Sequence, residues 1–132
     1  QNQEFTPPIN FNIYPFKNLN AGFLWLEKNT KPENVVYSDV TLGNLIPAYA
    51  GNTVYVGHSI STVNYGQKRK EVAYFYTTKM APEQARQYLL QRRIKYVIWS
   101  YDEWGAKGNP QEYSSFLILR FANSEIQIYE VK

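Results

Sequence analysis

His58 is the one histidine of this 132-residue chain, and Asp39 and Glu103 are the carboxylates that could serve with it, as metal ligands or as an acid/base pair. Their sequence spacing demands neither. A single histidine rules out a His-pair metal site. The absence of cysteine rules out thiolate ligands, disulfides and a Cys nucleophile. No Gly-x-Ser-x-Gly turn presents a serine, and Gly43 alone is not the Gly-x-Gly-x-x-Gly loop of a dinucleotide site. The residues therefore assign no catalytic group, no metal and no cofactor. What they can do is bind. Thr41 and Asn44 fall near a helix start, where free backbone N–H groups hold an anion and where such side chains also serve as caps. Asp39 reads as an N-cap or strand-end residue, or as a ligand contact. His58 either bonds a strand-end backbone or touches a ligand. Glu103 beside Trp104 either holds a sugar hydroxyl above an aromatic face or opens a turn. The candidate ligand-binding set is Asp39, Asn44, Tyr49, His58, Thr62 and Glu103.

The elements that must position these residues are legible around them. Val35 to Ser38 is a short β-rich run bounded by Asp39, too short for a helix and too apolar for a solvent-facing strand. Leu42, Leu45, Ile46 and Tyr49 then recur at i, i+3, i+4 and i+7, one face of a helix. Pro47 inside that helix should kink or shorten it. Gly51-Asn52 stops it, and Val54 to Gly57 is a second strand. Such a βαβ unit has an open end at the carboxyl ends of its strands, where loops hold ligands. Ser38, Asp39, Thr41, Asn44, His58, Ser59 and Thr62 gather there.

Along the rest of the chain, residues 1–15 read as an extended, Pro- and Asn-rich entry segment, followed by a single α/β domain over 16–132. Phe16 to Asn29 forms the first helix, with Leu19, Phe23 and Leu26 on one face. His58 to Gly66 is a polar loop, Lys68 to Tyr76 a short helix, and Pro82 opens a helix that ends near Arg93. Tyr96 to Trp99 is a third buried strand. Gly105 to Pro110 is a loop, and Phe116 to Phe121 with Ile126 to Val131 closes a hairpin at Asn123-Ser124. Right-handed crossovers put strand two on one side of strand one. Strand three then takes the other side. The expected architecture is a three-layer, Rossmann-like α/β domain, a short parallel sheet of order 2-1-3 extended by an antiparallel C-terminal hairpin. Its switch point carries Ser38-Asp39 and Ser100 to Glu103, and Tyr49, Tyr101 and Trp104 are expected to add stacking surfaces nearby.

Composition narrows the function classes. A hydrophobic share of 44% fits one globular domain. The 17% aromatic share, with 12 Tyr, means either β-rich packing of half-buried tyrosines or an aromatic surface for sugars or partners. A net charge of +3 without a basic, aromatic-interleaved face argues against nucleic acid. The two basic clusters, Lys68-Arg69-Lys70 and Arg92-Arg93-Ile94-Lys95, are solvated helix faces or contacts for acidic lipid headgroups or phosphate. No apolar run reaches the ~18 residues of a membrane span, and no signal sequence is visible. The chain begins at Gln1 without an initiating Met, as a piece of a longer protein or a processed chain would.

The run Gly43-Asn44-Leu45-Ile46-Pro47-Ala48-Tyr49-Ala50-Gly51, together with Val54-Tyr55-Val56-Gly57-His58 and Thr62, resembles the soluble C-terminal domain of bacterial GT-C membrane glycosyltransferases of the protein-mannosyltransferase kind. Phe23 to Asn29, Asn34 to Ser38, Ile94 to Ile98 with Glu103, and Ile126 to Val131 resemble the flanking elements, so the likeness covers roughly 16–132. It implies a small domain on the extracytoplasmic face of the bacterial cytoplasmic membrane, attached to the transmembrane part of the same polypeptide. The transferase chemistry belongs to that part, and none of its catalytic residues maps onto this chain. The implied role is non-catalytic: positioning acceptor or lipid-linked sugar, or stabilising the membrane part. The competing reading is an independent small α/β enzyme or a nucleotide- or sugar-phosphate-binding protein.

Overall fold

A computed structural model describes residues 14–57, 62–100 and 109–132. Its five-stranded sheet has the order β2-β1-β3-β5-β4, the expected 2-1-3 core with the hairpin added at the strand-three edge. The strands are β1 (Val35–Tyr37), β2 (Thr53–Val54), β3 (Ile94–Ser100), β4 (Leu117–Ala122) and β5 (Ile126–Val131). β1 runs parallel to β2 and β3, while β5 is antiparallel to both β3 and β4. β3 is central and buried along almost its whole length, which is why its Tyr96 to Trp99 stretch reads as an apolar run rather than an alternation.

Helices cover both faces. α1 (Tyr14–Asn29) and α2 (Val40–Tyr49) pack on one face, where Phe23, Leu26, Leu42 and Ile46 meet Val36, Tyr96, Ile98, Ile126 and Ile128. α3 (Tyr65–Thr77), α4 (Pro82–Gln91) and a 3-10 turn at Pro110–Tyr113 cover the other. There Val72, Phe75, Tyr76, Ala85 and Leu89 close on Tyr37, Val97 and Trp99. Adjacent residues of β1 and β3 thus serve opposite cores, as the two-residue period of a strand requires. Among the described residues, most of the buried aromatic rings lie in the second core. Tyr37, Phe75, Tyr76, Trp99 and Tyr113 are all buried in it, which decides between the two readings of the tyrosine content for these residues.

Several boundaries differ from the sequence expectation. Tyr14 and Pro15 belong to α1, which opens two residues ahead of the expected Phe16; residues 1–13 lie outside the described residues. α2 runs through Pro47 to Tyr49. Pro47 has no N–H to return to the Gly43 carbonyl, and that oxygen lies instead against Gly57, where an added Cβ would meet it at 2.7 Å. The same approach shortens β2. The Tyr55 N–H still donates to the Val36 carbonyl at 3.0 Å, but Val56 and Gly57 leave the ladder to pass under α2. Tyr65 and Gly66, expected in a loop, open α3 behind Asn64, whose φ of 55° turns the chain. β3 extends beyond Tyr96 to Trp99 at both ends, and the 3-10 turn at Pro110 was not expected.

Local polar contacts fix the ends of the elements. The Asn29 side chain and Thr30 hydroxyl donate to the last carbonyls of α1, and buried Asn52 donates to Thr30 Oγ1 and the Lys31 carbonyl, both at 2.9 Å. At the hairpin, Asn123 Oδ1 accepts from the Glu125 and Ile126 N–H groups. Its amide donates to the Asn18 carbonyl, tying the turn to α1.

Candidate functional site

Asp39 caps α2. Its Oδ1 accepts from the Leu42 N–H at 2.7 Å, satisfying one of the free donors of the first turn. Its Oδ2 accepts from the Ser100 hydroxyl at 3.4 Å. The carboxylate therefore joins the exits of β1 and β3 at the expected switch point, and Ser38, also buried there, donates to the Asp39 carbonyl.

Asn44 and Thr62 are brought together one strand further out. Both line a cleft of about 600 Å³ between α2, the start of β2 and the start of α3. Asn44 is exposed, and Thr62 Oγ1 accepts from the Gly57 N–H at 3.2 Å. Gly43 forms the wall where α2 touches the Val56–Gly57 backbone. Lys68 adds a cation: its ammonium lies 4.9 Å from the Tyr55 ring centroid, a cation–π distance, and no carboxylate among the described residues pairs with it. The sequence leaves Lys68, within Lys68-Arg69-Lys70, as either a solvated helix face or a contact for acidic headgroups or phosphate. What distinguishes it is its position one turn into α3, beside Tyr55.

Tyr49 does not line this cleft. It closes the C-terminal turn of α2 and stacks on Phe23, with ring centroids 5.7 Å apart. α2 runs back from the carboxyl end of β1 to the amino end of β2, so the ten residues of the helix put Tyr49 about 15 Å from its start. Tyr49, expected to add a stacking surface near the carboxyl ends of the strands, lies instead at the far end of α2, packed on Phe23. His58 and Glu103 of the candidate set, with Tyr101 and Trp104, lie outside the described residues. Among the described residues no group of three or more His, Cys, Asp or Glu side chains could hold a metal ion, and no helix is long and apolar enough to cross a membrane.

A second polar cluster escaped the sequence reading. Glu71 of α3 accepts from Tyr55 Oη and, at 3.0 Å, from Arg92 Nε at the end of α4. Arg92 also donates to the Tyr88 carbonyl and lies over the Tyr88 ring, 3.9 Å from its centroid. Tyr88 Oη and Tyr37 Oη share a hydrogen bond of 2.7 Å, which carries the cluster into the core. Burial drives the Tyr37 phenol far above its usual range, with the neighbouring Tyr88 adding to it. Burial also pushes Glu71 up, but hydrogen bonds from Tyr55, Arg92 and Gln67 outweigh it, so the carboxyl sits below the usual glutamate range.

This sets a pH dependence. A carboxyl with a depressed native pKa stabilises the fold fully above its unfolded pKa, and that stability is lost as pH falls through the native value. Glu130 has the same sign, held down by Lys95 and Arg120 at 2.8 Å each. Glu71→Gln is expected to destabilise the chain by about 1–3 kcal/mol at neutral pH, with a smaller penalty by about pH 3. Urea midpoints at the two pH values check this; an equal penalty at both would assign the loss to packing.

No family model matches the chain, and no curated protein matches it. A solved structure does: the C-terminal globular domain of an oligosaccharyltransferase, AfAglB-S2, from Archaeoglobus fulgidus. The TM-score is 0.65 at 16% identity, and the match covers 98% of this chain and 100% of that one. The likeness at this identity is one of fold, and it runs from end to end: this chain has the fold of a globular C-terminal domain of an oligosaccharyltransferase.

Proposed function

We propose that this chain is a non-catalytic accessory domain of a membrane-embedded glycosyltransferase, and that it positions the lipid-linked sugar or the acceptor on the extracytoplasmic face of the membrane. The observation that carries the reading is the end-to-end fold match to an oligosaccharyltransferase domain. Gly43, Asn44, Pro47 and Ala48 of the Gly43 to Gly51 run, which resembles bacterial GT-C domains, line one side of the cleft.

The cleft suits this task chemically. Lipid-linked sugars are joined through phosphate, and a partly shielded Lys68 beside Asn44 and Thr62 offers one cation with neutral hydrogen-bonding groups. The catalytic carboxylates belong to the membrane part, and this chain supplies geometry rather than chemistry.

Two measurements test the proposal. The isolated chain should not turn over lipid-linked sugars, whereas deleting it from the longer protein should reduce transfer. Titration with mannose 1-phosphate should shift the amide resonances of Asn44, Thr62 and Lys68, and Lys68→Ala should remove the shifts. Turnover by the isolated chain would establish the competing reading, an independent enzyme.

A further inference from the structure

The α3/α4 helix pair frames a second groove, whose lining shares no residue with the cleft above. Gln67, Lys70 and Tyr74 project from α3, and Gln84, Gln87 and Gln91 from α4. With Glu71 and Tyr88, the two sets recur at i, i+3, i+4 and i+7 on their helices, so each is one continuous face. The faces border an open volume of about 560 Å³, floored by Met80, Tyr88 and the Glu71–Arg92 pair. That volume lies within the usual range of small-molecule clefts.

Its chemistry is specific. Exposed helix faces ordinarily carry charges in i,i+4 pairs, whereas this stretch of α4 presents three glutamines and a tyrosine. Gln84 and Gln91 have no hydrogen-bond partner among the described residues. Tyr74 is 55% exposed and has no ring partner among them. Glu71 and Arg92 neutralise one another at 3.0 Å, which leaves Lys70 as the single unpaired charge at the rim. Planar amides offer both donors and an acceptor to adjacent hydroxyls, and an exposed tyrosine offers a flat apolar face with a polar tip. Neutral amides beside a free aromatic face fit a ligand that is uncharged, rich in hydroxyls and apolar on one side.

We propose that the α3/α4 groove binds a short neutral oligosaccharide, with Tyr74 stacking on a sugar ring and Gln84 and Gln91 bonding its hydroxyls. The proposal rests on the groove alone and stands or falls separately from the accessory role. The 132-residue chain would be titrated with mannotriose, cellotriose, maltotriose and diacetylchitobiose while its amide and tyrosine resonances are followed. At least one sugar is expected to shift the side-chain amides of Gln84 and Gln91 and the Tyr74 ring. Tyr74→Ala should weaken that binding about tenfold, as should the double change Gln84→Ala with Gln91→Ala. All three side chains are exposed, so backbone spectra of the variants should match the parent. Lys68→Ala should leave binding unchanged. The proposal is overturned if none of the four sugars moves these resonances, if Tyr74→Ala leaves affinity intact, or if the response is abolished by Lys68→Ala instead.

Discussion

Replacing Phe75 by alanine is expected to lower the free energy of unfolding by about 3–5 kcal/mol. Phe75 is fully buried at the hub of the aromatic core. Its ring centroid lies 5.0 Å from that of Tyr37 and 5.3 Å from that of Tyr76. Tyr88, Trp99 and Tyr113 surround it at 5.7, 5.7 and 5.9 Å. The cost should reach the upper part of that range because the neighbours cannot collapse into the vacated space. Tyr76 Oη donates to the Ile98 carbonyl at 2.6 Å, Tyr37 is bonded to Tyr88, and Tyr113 Oη accepts from the Met80 N–H. Rings anchored at their hydroxyl ends keep the cavity open. Phe75→Leu keeps part of the volume and should cost about 1–2 kcal/mol. Urea denaturation of both variants gives the values. A loss below about 1 kcal/mol for the alanine change would show that the core repacks freely.

How much of this was legible in the sequence depends on the length scale of each interaction. The sheet order followed from local signals: Val35 to Ser38 is too short for a helix and too apolar for a solvent-facing strand, and Tyr96 to Trp99 is a second buried run. With strand two set to one side by crossover handedness, strand three took the other. Asp39 was legible as a cap because it precedes an apolar-periodic helix. The Glu71–Arg92–Tyr55 cluster was not, since its members lie 16 to 37 residues apart and only the docking of α3 and α4 on the sheet unites them. Arg92 and Lys95 looked like one basic cluster, yet Arg92 pairs with Glu71 and Lys95 with Glu130. Adjacent positive charges in sequence were separated by the turn from helix to strand. Asn44 and Thr62 do share a cleft, whereas Tyr49 was assigned by helical face without regard to helix direction. The extent of β2 was misread because composition reports β propensity, while the close passage of Gly57 beneath α2 ends the ladder.

Gly43→Ala offers the sharpest test of that passage, because two physical effects predict opposite signs. In an isolated helix, alanine is favoured over glycine by about 1 kcal/mol. Propensity alone therefore predicts a more stable protein. The packing predicts the reverse. A Cβ at position 43 would run into the Val56 carbonyl oxygen, and would also meet the Val56 carbonyl carbon at 3.0 Å and the Gly57 Cα at 3.1 Å. All of these are backbone atoms, with no rotamer by which to withdraw. Either α2 lifts from the segment after β2 or that segment shifts outward, and both movements disrupt the wall of the cleft that holds Asn44 and Thr62. A net loss of about 3 kcal/mol or more is expected, read from the urea midpoint. Any surviving folded protein should show altered amide shifts at Asn44, Thr62 and Lys68, with Phe75 and Tyr113 on the opposite core unmoved. A gain in stability would mean that the two backbones are not in contact, and the construction of the cleft from Gly43 would fall with it.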